Sequence, residues 1–246
     1  MRNLLFFVFL YGCSLNKGQN LTPARENQTV VYNYTDQTGS YLLKREVKYS
    51  NKKIITRTKI FSNQSNSEVE STVAVSILGT VRTPKNRKIR VLLPNVSQFK
   101  VWFSKKEHFS QVKLNRKSKQ VDVLTKNPEK KGNFEQSFSI PKGRFFCFFS
   151  QLPECLKEQN LLYLSAQKKV QLFVVWDNFP YHSELYEGMG TNPITSATLE
   201  ISKHSKDELK YSLDIGNQII FYHFDKKLMF KGFYWISQGI SLKRSS

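Results

Sequence analysis

The sequence predicts an all-β protein: an antiparallel meander that forms a curved half-barrel or a barrel. Apolar and polar residues alternate with a period of two in many short segments, and turn-forming residues separate these segments. Only one segment, near residues 152–164, has the spacing of a short helix. Many strands with few helices are typical of antiparallel sheets that curve and pack on themselves.

The clearest alternation lies in two N-terminal segments, and we expect both to be half-buried strands. In one, Tyr41, Leu43, Val47 and Tyr49 alternate with Lys44, Glu46 and Lys48; in the other, Val69, Ser71, Val73, Val75 and Ile77 alternate with Glu68, Glu70 and Thr72. The same pattern predicts strands at 52–61, 87–93, 96–103, 108–115, 119–125, 134–140, 168–176, 194–202, 207–215, 218–224 and 228–236.

Two segments interrupt the strand pattern. Residues 150–164 predict one helix of two or three turns, since Pro153 is tolerated in a first turn and four leucines lie near helical spacing. Residues 177–193 hold two prolines and two glycines and predict a long ordered loop. A domain boundary near 127–133 is an alternative, but the strands on both sides look alike. We therefore expect residues 28–246 to form a single all-β domain.

The N-terminus has the features of a secretion signal. Arg2 is followed by an apolar run at residues 4–10, which is far shorter than the roughly 20 residues needed to span a bilayer. The sequence Leu10-Tyr11-Gly12-Cys13 resembles the lipobox of bacterial lipoproteins, in which the cysteine becomes the acylated first residue of the mature chain. The alternatives are an ordinary cleaved signal and a chain that is not secreted but has an apolar N-terminus.

The lipobox resemblance implies a location. Residues 1–12 would be a signal peptide, and Cys13 would carry the lipid, with palmitate among its acyl chains. Residues 13–27 would be a polar tether between the lipid and the folded domain. An Asp directly after the lipidated cysteine would resemble an inner-membrane retention signal, but this chain has Ser14 at that position. The lipobox resemblance therefore implies an outer-membrane lipoprotein that faces the periplasm. A secreted or soluble periplasmic protein is the alternative.

The other two cysteines are predicted to form a disulfide bond. Cys147 and Cys155 lie eight positions apart with a proline between them, and no Cys-x2-Cys or His-rich grouping near them suggests zinc. In an oxidising compartment they would close a small ring. The alternative is that both are small buried apolar residues in a reducing cytosol.

The chain is strongly basic, with 38 Lys and Arg against 19 Asp and Glu and a formal net charge of +19. These residues are spread from Lys44 to Arg244 and form no recognised nucleic-acid-binding module, so we expect no nucleic-acid partner. In an envelope protein, the expected counterparts are anionic lipid head groups, lipopolysaccharide phosphates or acidic wall polymers. A basic surface without a specific partner is the alternative.

No catalytic or metal-binding constellation is evident. His223 and Asp225 would share one face of a strand, as would His182 and Glu184, but spacing identifies no third ligand for either pair. No serine lies in a Gly-x-Ser-x-Gly elbow, and no acid, base and nucleophile can be grouped. We therefore expect no metal, no cofactor and no enzymatic activity.

Aromatic residues are abundant, with 19 Phe, 11 Tyr and 3 Trp, and the C-terminal third repeatedly places large apolar residues at adjacent positions. Both faces of those strands would need cover. In outline, a half-barrel lined by aromatic rings with a helix across it resembles periplasmic carriers of lipids and lipoproteins. The predicted cavity lining is Phe173, Val175, Phe221, Phe230 and Trp235. An ordinary aromatic core is the alternative.

Two functions of different classes follow from these features. The first is a lipid-anchored binding protein whose concave apolar face receives an acyl chain or another amphiphile. The second is a structural or assembly lipoprotein that docks another envelope protein through an exposed edge strand. A cavity favours the first hypothesis, whereas a filled core with a flat apolar patch favours the second.

Overall fold

The computed structural model describes residues 26–82, 88–128, 132–143, 145–165, 168–205 and 208–245. The predicted signal peptide, Cys13 and nearly all of the predicted tether lie outside these residues. The strands are β1 (Gln28–Asp36), β2 (Gly39–Ser50), β3 (Lys53–Ser62), β4 (Glu68–Arg82), β5 (Lys88–Phe103), β6 (Lys106–Asn115), β7 (Gln120–Lys126), β8 (Asn133–Ser139), β9 (Phe146–Phe148), β10 (Val170–Val175), β11 (Ile194–His204), β12 (Glu208–Ile215), β13 (Gln218–Asp225), β14 (Phe230–Trp235) and β15 (Ile240–Arg244).

All fifteen strands form one sheet, in which two antiparallel meanders meet edge to edge. Strands β1 to β8 each pair with the next, β10 to β15 do the same, and β1 pairs with β15. Strands from both meanders line one interior cavity, and β9 lies against β5. These contacts show that the sheet is curved. The predicted all-β class and the curved antiparallel meander are therefore confirmed.

Most predicted strands are present, with three additions and one fusion. The strands β1, β9 and β15 were not identified from the pattern. Residues 87–93 and 96–103 belong to the single strand β5, in which Pro94 lies at a shift of register against β4. A proline cannot donate to the ladder, so it marks an irregularity inside the strand rather than its end.

The segment after β8 contains the one parallel pairing of the described sheet. Strand β9 pairs with β10 in parallel, with Phe146 opposite Phe173. A parallel pair needs a crossover connection, and the helices α1 (Leu152–Glu158) and α2 (Leu161–Ser165) supply it. A 3₁₀ turn at Phe149–Gln151 leads into α1.

The single helix predicted for residues 150–164 is in fact two. Asn160 has a φ of 58°, a left-handed conformation that Asn tolerates and that ends α1. Pro153 lies in the first turn of α1, as predicted. Among the described residues, no helix combines the length and the apolar character that a bilayer span requires.

The loop predicted for residues 177–193 is present and contains one short helix, α3 (His182–Leu185). It follows directly on Trp176, which is fully buried. The indole rings of Trp176 and Trp235 stack with centroids 6.2 Å apart, and Phe149 packs 4.7 Å from Trp176. The loop and the helical segment are therefore fixed to the same aromatic core.

Gln151 ties the helical segment to the N-terminal meander. Its side chain is fully buried, and its Nε2 donates hydrogen bonds to the carbonyl oxygens of Ala74 at 2.8 Å and Ile54 at 3.2 Å. The hydroxyl of Ser76 donates to Gln151 Oε1 at 2.5 Å. Because each buried polar atom here has a partner, this contact holds the start of α1 against β3 and β4 without a desolvation penalty.

Cys147 on β9 and Cys155 on α1 lie at disulfide distance, as predicted, with their Sγ atoms 2.07 Å apart. Both residues belong to the main hydrophobic core. The bridge closes a ring over a sequence separation of eight.

We expect reduction of this bridge to lower the free energy of unfolding by about 2.5 kcal/mol, because the open ring regains chain entropy in the unfolded state. Thermal unfolding with and without a thiol reductant measures the change. Mass mapping of an unreduced digest of the protein, purified without reductant, supplies the control. Two free thiols in that digest would contradict the disulfide.

Candidate functional site: an interior cavity

A small cavity lies inside the curved sheet, between the two meanders and the helical segment. Its volume is about 80 Å³, and it is partly open to solvent. Its lining comprises Tyr34, Leu43, Arg45, Thr58, Ile60, Glu70, Thr72, Phe99, Phe149, Ser150, Pro153, Asp177, Asn178, Tyr186, Tyr222, Phe230, Phe233 and Leu242. The walls are mostly apolar or aromatic, and the polar groups come from β2 to β4, the 3₁₀ turn and the loop after β10.

The register of the N-terminal meander aligns the cavity residues in two transverse rows. One row runs from Arg45 through Thr58 and Thr72 to Phe99. The next places Leu43, Ile60 and Glu70 opposite one another on neighbouring strands. Residues in register on one face of a sheet project to the same side, so these side chains reach the cavity together.

The inward face of β4 is the opposite of the face that the sequence predicts. Thr72, Ala74 and Ser76 are buried, whereas Val73 and Val75 are half-buried on the outer face. Alternation defines the two faces of a strand, but neighbouring strands decide which face turns inward. Here the interior takes small and polar side chains because Gln151 and the 3₁₀ turn pack against them.

Arg45 and Glu154 form an ion pair at the side of the cavity, and each side chain is at most 5% exposed. Arg45 Nη1 donates to Glu154 Oε1 at 2.8 Å, and Nη2 donates to Glu154 Oε2 and, at 3.0 Å, to the carbonyl oxygen of Ser150. Burial alone would lower the pKa of Arg45, but the facing carboxylate outweighs it and raises that pKa. Arg45 therefore stays charged, and the ion pair joins β2 to α1.

Asp177 is the second buried acid of the cavity and is only 2% exposed. Its Oδ2 accepts hydrogen bonds from the backbone N–H of Ser150 at 3.0 Å and from the Ser150 hydroxyl. Burial raises the pKa of Asp177 to about 6, although the bonds from Ser150 act in the opposite direction. No cation among the described residues forms an ion pair with this carboxyl group.

Glu70 is a third acid, on β4, and its carboxyl group has no hydrogen-bond or ion-pair partner among the described residues. Burial raises its pKa to about 8, and repulsion from Asp177 and Asp36 adds to the shift. Desolvation is the main cause of the raised pKa of both acids, so the cavity favours the protonated form of each carboxyl group more than water does.

Neutral polar groups complete the site. Asn178 is 3% exposed, and its Oδ1 is buried without a hydrogen-bond partner in the described structure. Burial raises the pKa of Tyr34, Tyr186 and Tyr222, so their hydroxyls stay protonated at neutral pH. The cavity therefore offers carboxyl and amide acceptors and tyrosine hydroxyl groups beside its apolar walls.

We expect Glu70→Gln to stabilise the protein at pH 8 and to flatten its pH dependence. Because the folded-state pKa of about 8 lies above the ordinary 4.5, the folded state binds the proton more tightly, and stability falls as the pH rises between these values. Urea unfolding at pH 5 to 9 measures the slope. Glu68→Gln is the control, since Glu68 pairs with Lys59 at 2.6 Å. Equal slopes in wild type and Glu70→Gln would contradict this assignment.

Of the five predicted lining residues, the structure places only Phe230 against the cavity. Trp235 and Val175 are fully buried in the core. Phe173 is half-buried and stacks on Phe146 with centroids 5.1 Å apart. These three side chains pack against protein atoms rather than against the cavity.

Phe221 lies on the outer face of β13, between the inward residues Ile220 and Tyr222. The ammonium group of Lys210 lies 4.4 Å from the centre of its ring. The long side chain of Lys210 thus covers the outward ring of Phe221. For this reason the outer face of the strand needs no further protein element to cover it.

Sequence reasoning missed the charged residues of the cavity. For Arg45 the alternation of the strand gives a signal, because Arg45 falls at an apolar-face position of β2, in line with Tyr41, Leu43 and Val47. For Glu70 and Asp177 we find no such signal, since each stands among residues of ordinary strand or loop composition.

The two histidine pairs form no metal site. His223 Nδ1 lies 2.5 Å from Glu208 Oε1 rather than contacting Asp225, and His182 Nε2 lies 2.8 Å from the carbonyl oxygen of Gly190. Among the described residues, no three His, Cys, Asp or Glu side chains come close enough to hold a metal ion.

Comparisons with known proteins give one similar fold. No protein-family model matches the chain, and no curated protein matches it. Among solved structures, a β-barrel-like protein of the domain of unknown function DUF1849 from Brucella abortus is similar, with a TM-score of 0.49 and 11% identity over 90% of this chain and 97% of that chain. This similarity is too low to transfer a residue role or an activity, so the function has to be inferred from the residues of this chain.

Proposed function

We propose that this protein is a lipid-anchored envelope protein that binds one end of an amphipathic molecule in its interior cavity. The observation that carries the proposal is the cavity itself, where apolar and aromatic walls surround Glu70, Asp177 and Asn178. Binding sites typically combine apolar walls with a few convergent polar groups. Binding rather than catalysis is proposed, because the Ser150 hydroxyl bonds to the Asp177 carboxyl group but, among the described residues, no third side chain orients that pair.

The size of the cavity limits what enters it. About 80 Å³ is well below the roughly 300 Å³ of small drug-binding pockets, and below the roughly 150 Å³ cavity that holds benzene. A whole acyl chain does not fit in this volume. The ligand therefore inserts a terminal group of a few heavy atoms, and the rest of the molecule leaves through the open side.

Binding of a dansyl-labelled probe tests the proposal. We expect dansylcadaverine or a dansyl fatty acid to bind at micromolar concentration, and Thr58→Phe to weaken binding at least about tenfold because the new ring fills the cavity. Lys59→Phe is the control, since Lys59 is half-exposed on the outer face of the same strand. Absence of binding for both probes, or equal effects of both variants, would contradict the cavity as a ligand site.

The envelope location in this proposal depends on Cys13. We expect Cys13→Ser to move the protein from the membrane fraction to a soluble or uncleaved form and to abolish labelling with a palmitate analogue. Ser14→Ala should change neither. The paired cysteines of β9 and α1 support an oxidising compartment. Unchanged labelling of Cys13→Ser would refute the lipid anchor.

One observation favours the assembly hypothesis as a second candidate. Strand β8 ends the sheet, six of its seven residues are exposed, and Phe134 is 44% exposed. An exposed strand at the end of the described sheet can accept a strand from another protein. A photo-crosslinker at Phe134 should capture an envelope protein in cells, whereas one at Ile219, which is exposed on β13, should not. Equal yields at both positions would contradict docking at this edge.

A further inference from the structure

The charges of the cavity do not balance, and this imbalance indicates the kind of ligand. Arg45 is the one cation among the described lining residues, and its guanidinium is already bound by Glu154 and the carbonyl oxygen of Ser150. Glu70 and Asp177 have no cationic partner in the part of the chain that the structure describes. Isolated carboxylates in a desolvated site are costly unless a cation or hydrogen-bond donors accompany them.

An independent observation indicates a missing hydrogen-bond donor. Asn178 lines the cavity at 3% exposure, and its Oδ1 accepts no hydrogen bond from any described residue. A buried acceptor is normally paired. Asn178 and the two acids therefore require the same chemistry, which is a group that donates several hydrogen bonds and carries positive charge.

We propose that Glu70, Asp177 and Asn178 bind the primary ammonium group of a small aliphatic amine. This inference rests on the proposed function and specifies its ligand: the end of the amphipathic molecule that enters the cavity is cationic. A primary ammonium group has three donors and no acceptor, which matches three acceptors in one cavity once the Glu70 carboxyl group has lost its proton. Its carbon chain contacts the apolar walls, including Leu43, Ile60 and Phe233.

Other classes of ligand match the site less well. A carboxylate brings negative charge and no donor, an alcohol brings one donor and no charge, and a quaternary ammonium brings charge without a donor. A metal ion lacks a set of three acidic or histidine ligands among the described residues. Tyrosine and phenylalanine rings in the wall add favourable contacts for a cation within about 6 Å of a ring face.

A series of small ligands of similar size tests the inference. Calorimetric titration of the purified full-length chain at pH 9 would compare n-butylammonium with 1-pentanol, pentanoate and tetramethylammonium. We expect butylammonium to bind at least about tenfold more tightly than each of the other ligands. It alone can donate charge-assisted hydrogen bonds to the carboxylates of the cavity. Its affinity should fall as the pH is lowered from 9 to 6, because Glu70 becomes protonated.

Two variants locate the binding. Glu70→Gln should weaken the binding of butylammonium at least about tenfold, while circular dichroism shows that the variant is folded. Glu68→Gln should leave the affinity for butylammonium unchanged. Equal affinity for pentanol or pentanoate, blocked by Thr58→Phe, would overturn the cationic ligand and leave the proposed cavity function intact. If no ligand of the series and neither dansyl probe binds, the cavity holds ordered water only and both proposals fail.

Discussion

Arg45→Ala is expected to destabilise the protein by about 3 to 5 kcal/mol, because it leaves the buried Glu154 carboxylate without its cation. Both side chains are at most 5% exposed, so water replaces the missing partner only in part. The carbonyl oxygen of Ser150 also loses a donor. Urea unfolding followed by circular dichroism measures the loss.

Arg57→Ala is the matched control for Arg45→Ala. Arg57 lies on β3 with its side chain 43% exposed, and it pairs with Glu46 at 3.3 Å. Exposed pairs contribute less than about 1 kcal/mol. The double variant Arg45→Met, Glu154→Leu should recover most of the lost stability, since no unpaired charge remains. If Arg45→Ala is as mild as Arg57→Ala, the ion pair does not hold α1 against the sheet.

Trp176→Ala is the second substitution with a large expected effect, again a loss of about 3 to 5 kcal/mol. The indole is fully buried, stacks on Trp235 and His182, and donates from Nε1 to Thr195 Oγ1 at 2.9 Å. Alanine leaves a void beneath Phe149, which lines the cavity. We therefore expect Trp176→Ala to weaken ligand binding as well.

Tyr163→Ala is the control for Trp176→Ala, because this aromatic residue on α2 is 52% exposed and should change stability by less than about 0.5 kcal/mol. Trp176→Phe should fall between the two, since it keeps part of the ring packing. Thermal unfolding ranks the three variants. A loss for Trp176→Ala no greater than that for Tyr163→Ala would show that the aromatic core does not support the cavity.

The sequence by itself determined the class of the fold and most of its strands. Alternation in segments such as 218–224 is a local property, because neighbouring side chains on a strand point to opposite faces whatever packs on them. Turn residues such as Gly216 and Asn217, both with positive φ, fix where a hairpin reverses. The pairing of Cys147 with Cys155 was likewise predictable, because short ring closure depends on spacing.

Tertiary structure alone decided which face is the interior and what lines it. The valines of β4 look like a core face, yet Thr72 and Glu70 turn inward, because the 3₁₀ turn and Gln151 occupy that side of the sheet. Phe221 looks like cavity lining but lies outside under Lys210. Asp177 lies at the cavity beside Ser150, which is 27 positions earlier in the chain. Contacts between residues so far apart in sequence leave no local pattern, and the charged cavity was therefore visible only in the folded chain.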